Sequence, residues 1–60
     1  MKTLNKLTTG QEFYYEDDAS ETFRIVSSMP LHIQYVNVND NELISVKGGE
    51  SKYTALVNTL

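Results

Sequence analysis

The side chains in this sequence with chemistry to offer are four tyrosines, one histidine, one arginine and a run of carboxylates. His32 is the sole candidate for a general base, and a catalytic triad needs a histidine beside both a nucleophile and a carboxylate. It is opposite in parity to Leu31 and Ile33, which directs it away from their face of a strand. It therefore reads as an ordinary strand histidine. The chain has no cysteine, which removes disulfides and thiolate metal sites. Zinc held by a single histidine would need carboxylates for every other protein ligand. No serine elbow, phosphate-binding glycine loop or dinucleotide fingerprint is present. This inventory predicts no enzyme, no metal and no cofactor.

The carboxylates Glu16, Asp17, Asp18 and Glu21 gather in one stretch. One reading is a solvated turn that keeps the chain soluble. Another is a negative patch that meets a basic partner surface, with Asp17 and Asp18 as candidate binding residues. A calcium loop is the third, but the alternating ligands and the sharp-turn glycine are missing. The alternation Asn37, Asn39, Asn41 fails the same test, because it starts without a carboxylate and has Glu42 where glycine is required. The tyrosines Tyr14, Tyr15, Tyr35 and Tyr53 carry amphipathic rings of the kind favoured at interfaces. Tyr35 and Tyr53 are expected to be half-exposed. The plainer reading of all four is the rim of a small core, each hydroxyl reaching water. Grouped on one face they could stack single-stranded bases or enclose a cation. Arg24, on the outward face of its strand, is a candidate anchor, since arginine is enriched in binding hot spots.

The elements that must position these residues are short strands. Sixty residues make one domain at most, here taken as 1–60. A chain of this size buries only about 60% of the surface its unfolded form exposes, so a compact core or a partner has to stabilise it. The hydrophobic fraction of 40% and charged fraction of 22% are near globular averages. Net charge is −3, and neither half of the chain is basic, which argues against binding duplex DNA by phosphate neutralisation. No apolar run approaches the roughly 20 residues that span a bilayer, and the first residues lack the apolar core of a signal peptide. The expectation is a cytoplasmic protein with no membrane partner.

Along the chain, Leu4 and Leu7 suit an N-terminal arm or a single helical turn that Thr3 could cap, broken by Gly10. The first strand spans 12–16, with Phe13 and Tyr15 on one face and Tyr14 on the other. A turn over 17–20 leads to a strong strand over 22–27, in which Phe23 and Ile25 oppose Arg24 and Val26. The segment 28–30, closed by Pro30, separates it from a third strand over 31–38. In that strand Leu31, Ile33 and Tyr35 alternate on one face while Val36 and Val38 take the other, which predicts a bulge near Tyr35 and Val36. Residues 37–41 are turn chemistry, 42–47 a fourth strand, Gly48 and Gly49 a hairpin turn, and 52–57 a fifth strand. The last three residues are expected to fray. The predicted core is Leu7, Phe13, Phe23, Ile25, Ile33, Ile44, Val46 and Leu56. Turns every eight to twelve residues and the need to hide sheet edges predict a closed, all-β, five-stranded antiparallel barrel.

The order Leu7-x-x-Gly10-x-x-Phe13, then the strand from Thr22 to Ser27, a valine-rich third strand and a short glycine hairpin resembles the small SH3-like barrels. It is also similar, more loosely, to compact β proteins of tailed bacteriophages. That resemblance implies a module that binds peptides, proteins or nucleic acids rather than a catalyst. The tryptophan that lines the groove of peptide-binding SH3 domains is missing, and only Glu16, Asp17, Asp18 and the tyrosines echo that groove. The leading expectation is a small non-catalytic protein-binding module, a phage or mobile-element product that modulates a host protein. Two other expectations stand beside it: a single-stranded nucleic-acid binder with a tyrosine face, and a structural protein that forms homo-oligomers through its strand edges.

Overall fold

The computed structural model describes residues 1–60. The chain is all β: six strands form one antiparallel sheet, with two 3₁₀ turns and no α-helix. The strands are β1 (Lys2–Thr3), β2 (Glu12–Tyr15), β3 (Asp18–Met29), β4 (His32–Asn37), β5 (Leu43–Lys47) and β6 (Leu56–Thr59), in the sheet order β1-β6-β2-β3-β4-β5. The expected closed five-stranded barrel is therefore corrected in two ways: there are six strands, and the edge strands β1 and β5 do not pair with one another.

The physical reason lies in the segment after Gly48. Gly49 takes a positive φ of 96°, a conformation that costs glycine nothing. The chain then enters a 3₁₀ turn over Ser51–Thr54 instead of returning as a hairpin strand. Tyr53 N–H donates to the Glu50 carbonyl and Ala55 N–H to that of Lys52, at 3.0 and 3.1 Å. The final strand starts only at Leu56 and pairs with β1 and β2, not with β5. Its inward residue is Val57, fully buried, while Leu56 is 51% exposed. Neighbouring residues of a strand face opposite sides, so with Val57 turned inward Leu56 is turned out, and the expectation of a buried Leu56 is corrected. The residues expected to fray are held instead: Asn58 pairs with Tyr14, Thr59 with Phe13, and Leu60 N–H donates to the Glu12 carbonyl at 3.0 Å.

The N-terminal expectation holds in its coarser form. Leu4–Lys6 is a single 3₁₀ turn, and both Leu4 and Leu7 are buried. Thr3 precedes the turn without a side-chain cap and donates its hydroxyl to Asn5 Oδ1 at 2.6 Å instead. Leu4 N–H donates to the Ala55 carbonyl at 2.9 Å, and Ser28 Oγ donates to the Leu7 carbonyl at 2.8 Å. These bonds lay the arm across the core. Gly10, at φ 93°, turns the chain into β2.

β3 is the long element, and two irregularities bend it. Phe13 faces Phe23 and Tyr15 faces Asp18, so residues 19–22 bow out opposite Tyr14 alone. A second register shift lies between Ile25 and Ser27, where Val26 is the extra residue. The bulge predicted in the third strand near Tyr35 and Val36 is corrected: the irregularity lies in β3, opposite the step from Gln34 to Tyr35. β4 itself alternates cleanly: Ile33, Tyr35 and Asn37 are buried and His32, Gln34 and Val36 half-buried. Leu31 belongs to no strand. It sits with Pro30 in a two-residue turn at φ 62°, 68% exposed, so its expected place beside Ile33 and Tyr35 is corrected. Proline first and positive φ second is the pattern of a type II turn.

The core holds Leu4, Leu7, Phe13, Phe23, Ile25, Ile33, Tyr35, Val46 and Val57, with Tyr15, Ile44 and Tyr53 packed against it. Phe13, Tyr15, Phe23 and Tyr35 make all their mutual pairings at centroid separations of 5.2 to 6.5 Å, mostly edge to face. Such pairs add about 0.5–1.5 kcal/mol each beyond the area they bury.

Candidate functional site

Where the sheet fails to close, a groove of about 700 Å³ opens. Its floor is the aromatic cluster, through Tyr15, Phe23 and Tyr35. One wall is Ile44 of β5 with the preceding Glu42; the other is Lys52, Ala55 and Leu56. The β2–β3 turn supplies Glu16, Asp17, Asp18 and Glu21, and the β4–β5 loop supplies Asp40. Six carboxylates thus stand around one lysine.

Two loops distant in sequence have to meet for this. Asn37, only 4% exposed, joins them. Its Nδ2 donates to Glu21 Oε1 at 3.2 Å, and its Oδ1 accepts the Asn39 N–H at 2.8 Å. Its N–H donates to the Glu42 carbonyl at 3.1 Å, and its own carbonyl accepts the Asn41 N–H at 2.7 Å. Asn41 takes φ 58°, which asparagine tolerates better than most residues. On the other side, Asp18 Oδ1 accepts both the Ser20 N–H at 3.0 Å and the Ser20 hydroxyl at 2.5 Å. Those bonds to the charged form hold the Asp18 carboxyl below its ordinary range. Asn58 Nδ2 donates to Glu16, fixing the near end of the turn to β6.

The floor is polar at one point. The hydroxyls of Tyr15 and Tyr35 lie 2.5 Å apart, bonded to one another. Burial pushes both phenols above the ordinary tyrosine range; for Tyr15 the bond to Tyr35 pushes the same way. Above the floor, Lys52 Nζ sits 5.9 Å from the centroid of the Tyr15 ring, within reach of a cation–π contact. No group of three His, Cys, Asp or Glu side chains is arranged to hold a metal ion. No helix is long and apolar enough to cross a membrane.

The structure divides the residues singled out from sequence. Tyr15, Asp17, Asp18 and Tyr35 are brought together in the groove. Tyr35 is fully buried there, so its expected half-exposure is corrected: β4 turns it inward, opposite Ile25 and Ile44. Tyr53 is half-buried, as expected, but sits away from the groove, where its hydroxyl accepts the Leu31 N–H at 3.1 Å. Tyr14 takes the face of β2 opposite to Phe13 and does not line the groove. Arg24 is also elsewhere: its Nε lies 3.7 Å from Glu12 Oε2 in a half-exposed pair. The four tyrosines therefore do not form one face: Tyr15 and Tyr35 meet in the groove, and Tyr14 and Tyr53 lie outside it.

Sequence reasoning missed Asn37, Glu42, Ile44 and Lys52 as groove residues. The asparagine alternation at 37–41 was the available signal for the first. Lys52 carried none, because its position depends on the 3₁₀ turn. Compared with protein-family models, with curated proteins and with solved structures, the chain gives no match.

Proposed function

We propose that this protein is a small non-catalytic binding module whose groove receives a basic segment of a partner protein. The observation that carries the reading is the ring of six carboxylates around an aromatic floor, with Lys52 the sole cation among the lining residues. Clefts lined by one sign of charge attract and orient the opposite sign. Lys52 over Tyr15 rehearses the contact that an incoming lysine or arginine makes with the same ring. The finer assignment to the SH3-like class belongs to this proposal; a bent antiparallel sheet with a 3₁₀ turn before its last strand is compatible with it.

The single-stranded nucleic-acid reading finds less support. Phosphates in this groove would face the carboxylates, and only Tyr15 and Tyr35 of the four tyrosines lie there, with Tyr35 fully buried, so the tyrosines offer no common stacking face. The test is a fluorescence-anisotropy titration with a short lysine- and arginine-containing peptide at low and moderate salt. Asp40→Lys with Glu42→Lys should weaken binding at least about tenfold, since charge pairs set both encounter and affinity. Arg24→Ala, on the far face, should leave it unchanged. Equal affinity in all three proteins, or no binding to the native chain, would overturn the reading.

A further inference from the structure

The groove lies in the gap between the β5 edge and the segment that follows the second 3₁₀ turn, and that edge has a definite hydrogen-bonding state. In the β4–β5 ladder, Ile33 faces Val46 and Tyr35 faces Ile44. Just beyond the ladder, Asn37 N–H donates to Glu42 O and Gly48 N–H to Leu31 O. Antiparallel ladders alternate bonded and non-bonded pairs. The bonded ones are therefore Ile33 with Val46 and Tyr35 with Ile44. Leu43, Ser45 and Lys47 consequently turn their N–H and C=O groups outward, away from β4. The Lys47 carbonyl is taken by the Glu50 N–H at 3.1 Å. Around that end the chain folds over itself, with Tyr53 reaching Leu31. The backbone groups of Leu43 and Ser45 have no partner strand, and they flank the half-buried Ile44, which lines the groove together with Glu42.

From this we infer that the groove takes its ligand as an added strand: an extended, basic segment of a partner that pairs with Leu43 and Ser45 and extends the sheet beyond β5. This rests on the reading of the groove as a basic-segment site and specifies the conformation of the bound chain. An extended chain turns alternate side chains to opposite faces. Paired with β5, one set would reach the aromatic floor at Tyr15, beside Ile44 of the wall. Lysine or arginine in the same segment would meet Glu42 and Asp40 at one end and Asp17 and Asp18 across the groove. Main-chain bonds supply affinity in such complexes and the side-chain sites supply selectivity. An edge strand left bare in a small domain also invites unwanted pairing. Here the acidic surroundings repel an acidic strand, which disfavours a second copy of this chain of net charge −3.

The test uses the intact protein and two short, end-capped peptides that alternate lysine and valine. The second peptide carries N-methyl groups on the amides that would face β5. Strand addition predicts that the unmodified peptide binds and slows hydrogen exchange at Leu43 and Ser45. It also predicts that N-methylation weakens binding at least about tenfold, as expected from losing two or more backbone hydrogen bonds. Ser45→Pro removes one edge N–H and should weaken only the unmodified peptide; Asp40→Lys weakens both and covers the case in which the proline variant does not fold. If both peptides bind equally and the Leu43 and Ser45 amides stay unprotected, strand addition is wrong while the basic-segment reading stands. If neither peptide binds, both are wrong. Protection of Leu43 and Ser45 without peptide, in a chain that sediments as a dimer or larger, assigns the edge to a second copy and overturns the proposal.

Discussion

The gap between β5 and the C-terminal strand differs at its two ends. At the Gly48 end it is sealed: the Leu31 carbonyl accepts the Gly48 N–H at 2.9 Å, and the Leu31 N–H donates to the Tyr53 hydroxyl at 3.1 Å. At the Leu43 end it opens on the acidic groove. Tyrosine serves both ends by different means. Tyr53 lays its ring on the core, and its hydroxyl accepts from one backbone amide. Tyr15 and Tyr35 turn their hydroxyls on each other in the floor of the groove. One residue type closes one end and furnishes the other, which is why counting tyrosines in the sequence cannot locate a binding face.

The comparison breaks first at the floor. Phe13→Ala or Tyr35→Ala should cost about 3–5 kcal/mol, the usual range for a large aromatic removed from a core. A chain of this length has little stability to spare, so urea unfolding should find these variants largely unfolded at 25 °C. Were Tyr35→Ala no worse than Tyr53→Ala, the four-ring cluster would not be the structural centre of the molecule. Asn37→Ala comes next, at about 1–3 kcal/mol, because it removes a buried amide and strands the groups bonded to it. Its signature is local: amide exchange in 38–42 should accelerate along with that of Glu21. Uniform acceleration across the sheet would mean that Asn37 supports the whole fold and not the junction of two loops.

The Tyr15–Tyr35 pair sharpens the comparison by pH. Both phenols are raised above the ordinary tyrosine value by burial. Tyrosine in the unfolded chain ionises near pH 10. Above that pH the unfolded chain loses these protons and the native chain retains them, so stability is fully present below about pH 10 and falls as pH rises. Equilibrium unfolding at pH 8 and at increasing alkaline pH should show the decline. In Tyr35→Phe the decline should be shallower, since one of the two titrating groups is gone. A decline of equal slope in native and variant would remove the pair as its cause.

Much of this architecture was readable from alternation. Phe13, Phe23, Ile25, Ile33 and Val46 are buried where period-two patterns put them, because a strand with one buried face has no freedom to exchange faces. The pattern failed where the chain leaves strand geometry. Tyr53, Ala55 and Val57 alternate on paper, yet only Val57 lies in a strand, and the 3₁₀ turn ahead of it is set by tertiary contacts: Leu4 N–H donates to the Ala55 carbonyl. The four residues from Ala19 to Thr22 that oppose Tyr14 alone are a second case. Residues 17–20 read as a turn; the turn proper is Glu16 and Asp17, and 19–22 belong to a bowed strand that carries Glu21 to Asn37. The acidic loop was thus visible from sequence, but not its opposite wall, because Glu42, Ile44 and Lys52 join it only through the missing strand pairing.

The smallest effect tests the sealed end alone. Tyr53→Phe keeps the ring on the core and removes the acceptor for the Leu31 N–H. That amide sits in an exposed turn, so water replaces the lost partner and the cost should be near 0.5 kcal/mol, the low end for a hydrogen bond. Urea unfolding should register that small loss, and hydrogen exchange should quicken at Leu31. Binding of a basic peptide in the groove should not change, because nothing at the Leu43 end depends on this bond. A variant that lost affinity while keeping its stability would show the two ends to be coupled, with the turn at Pro30 and Leu31 setting the width of the groove.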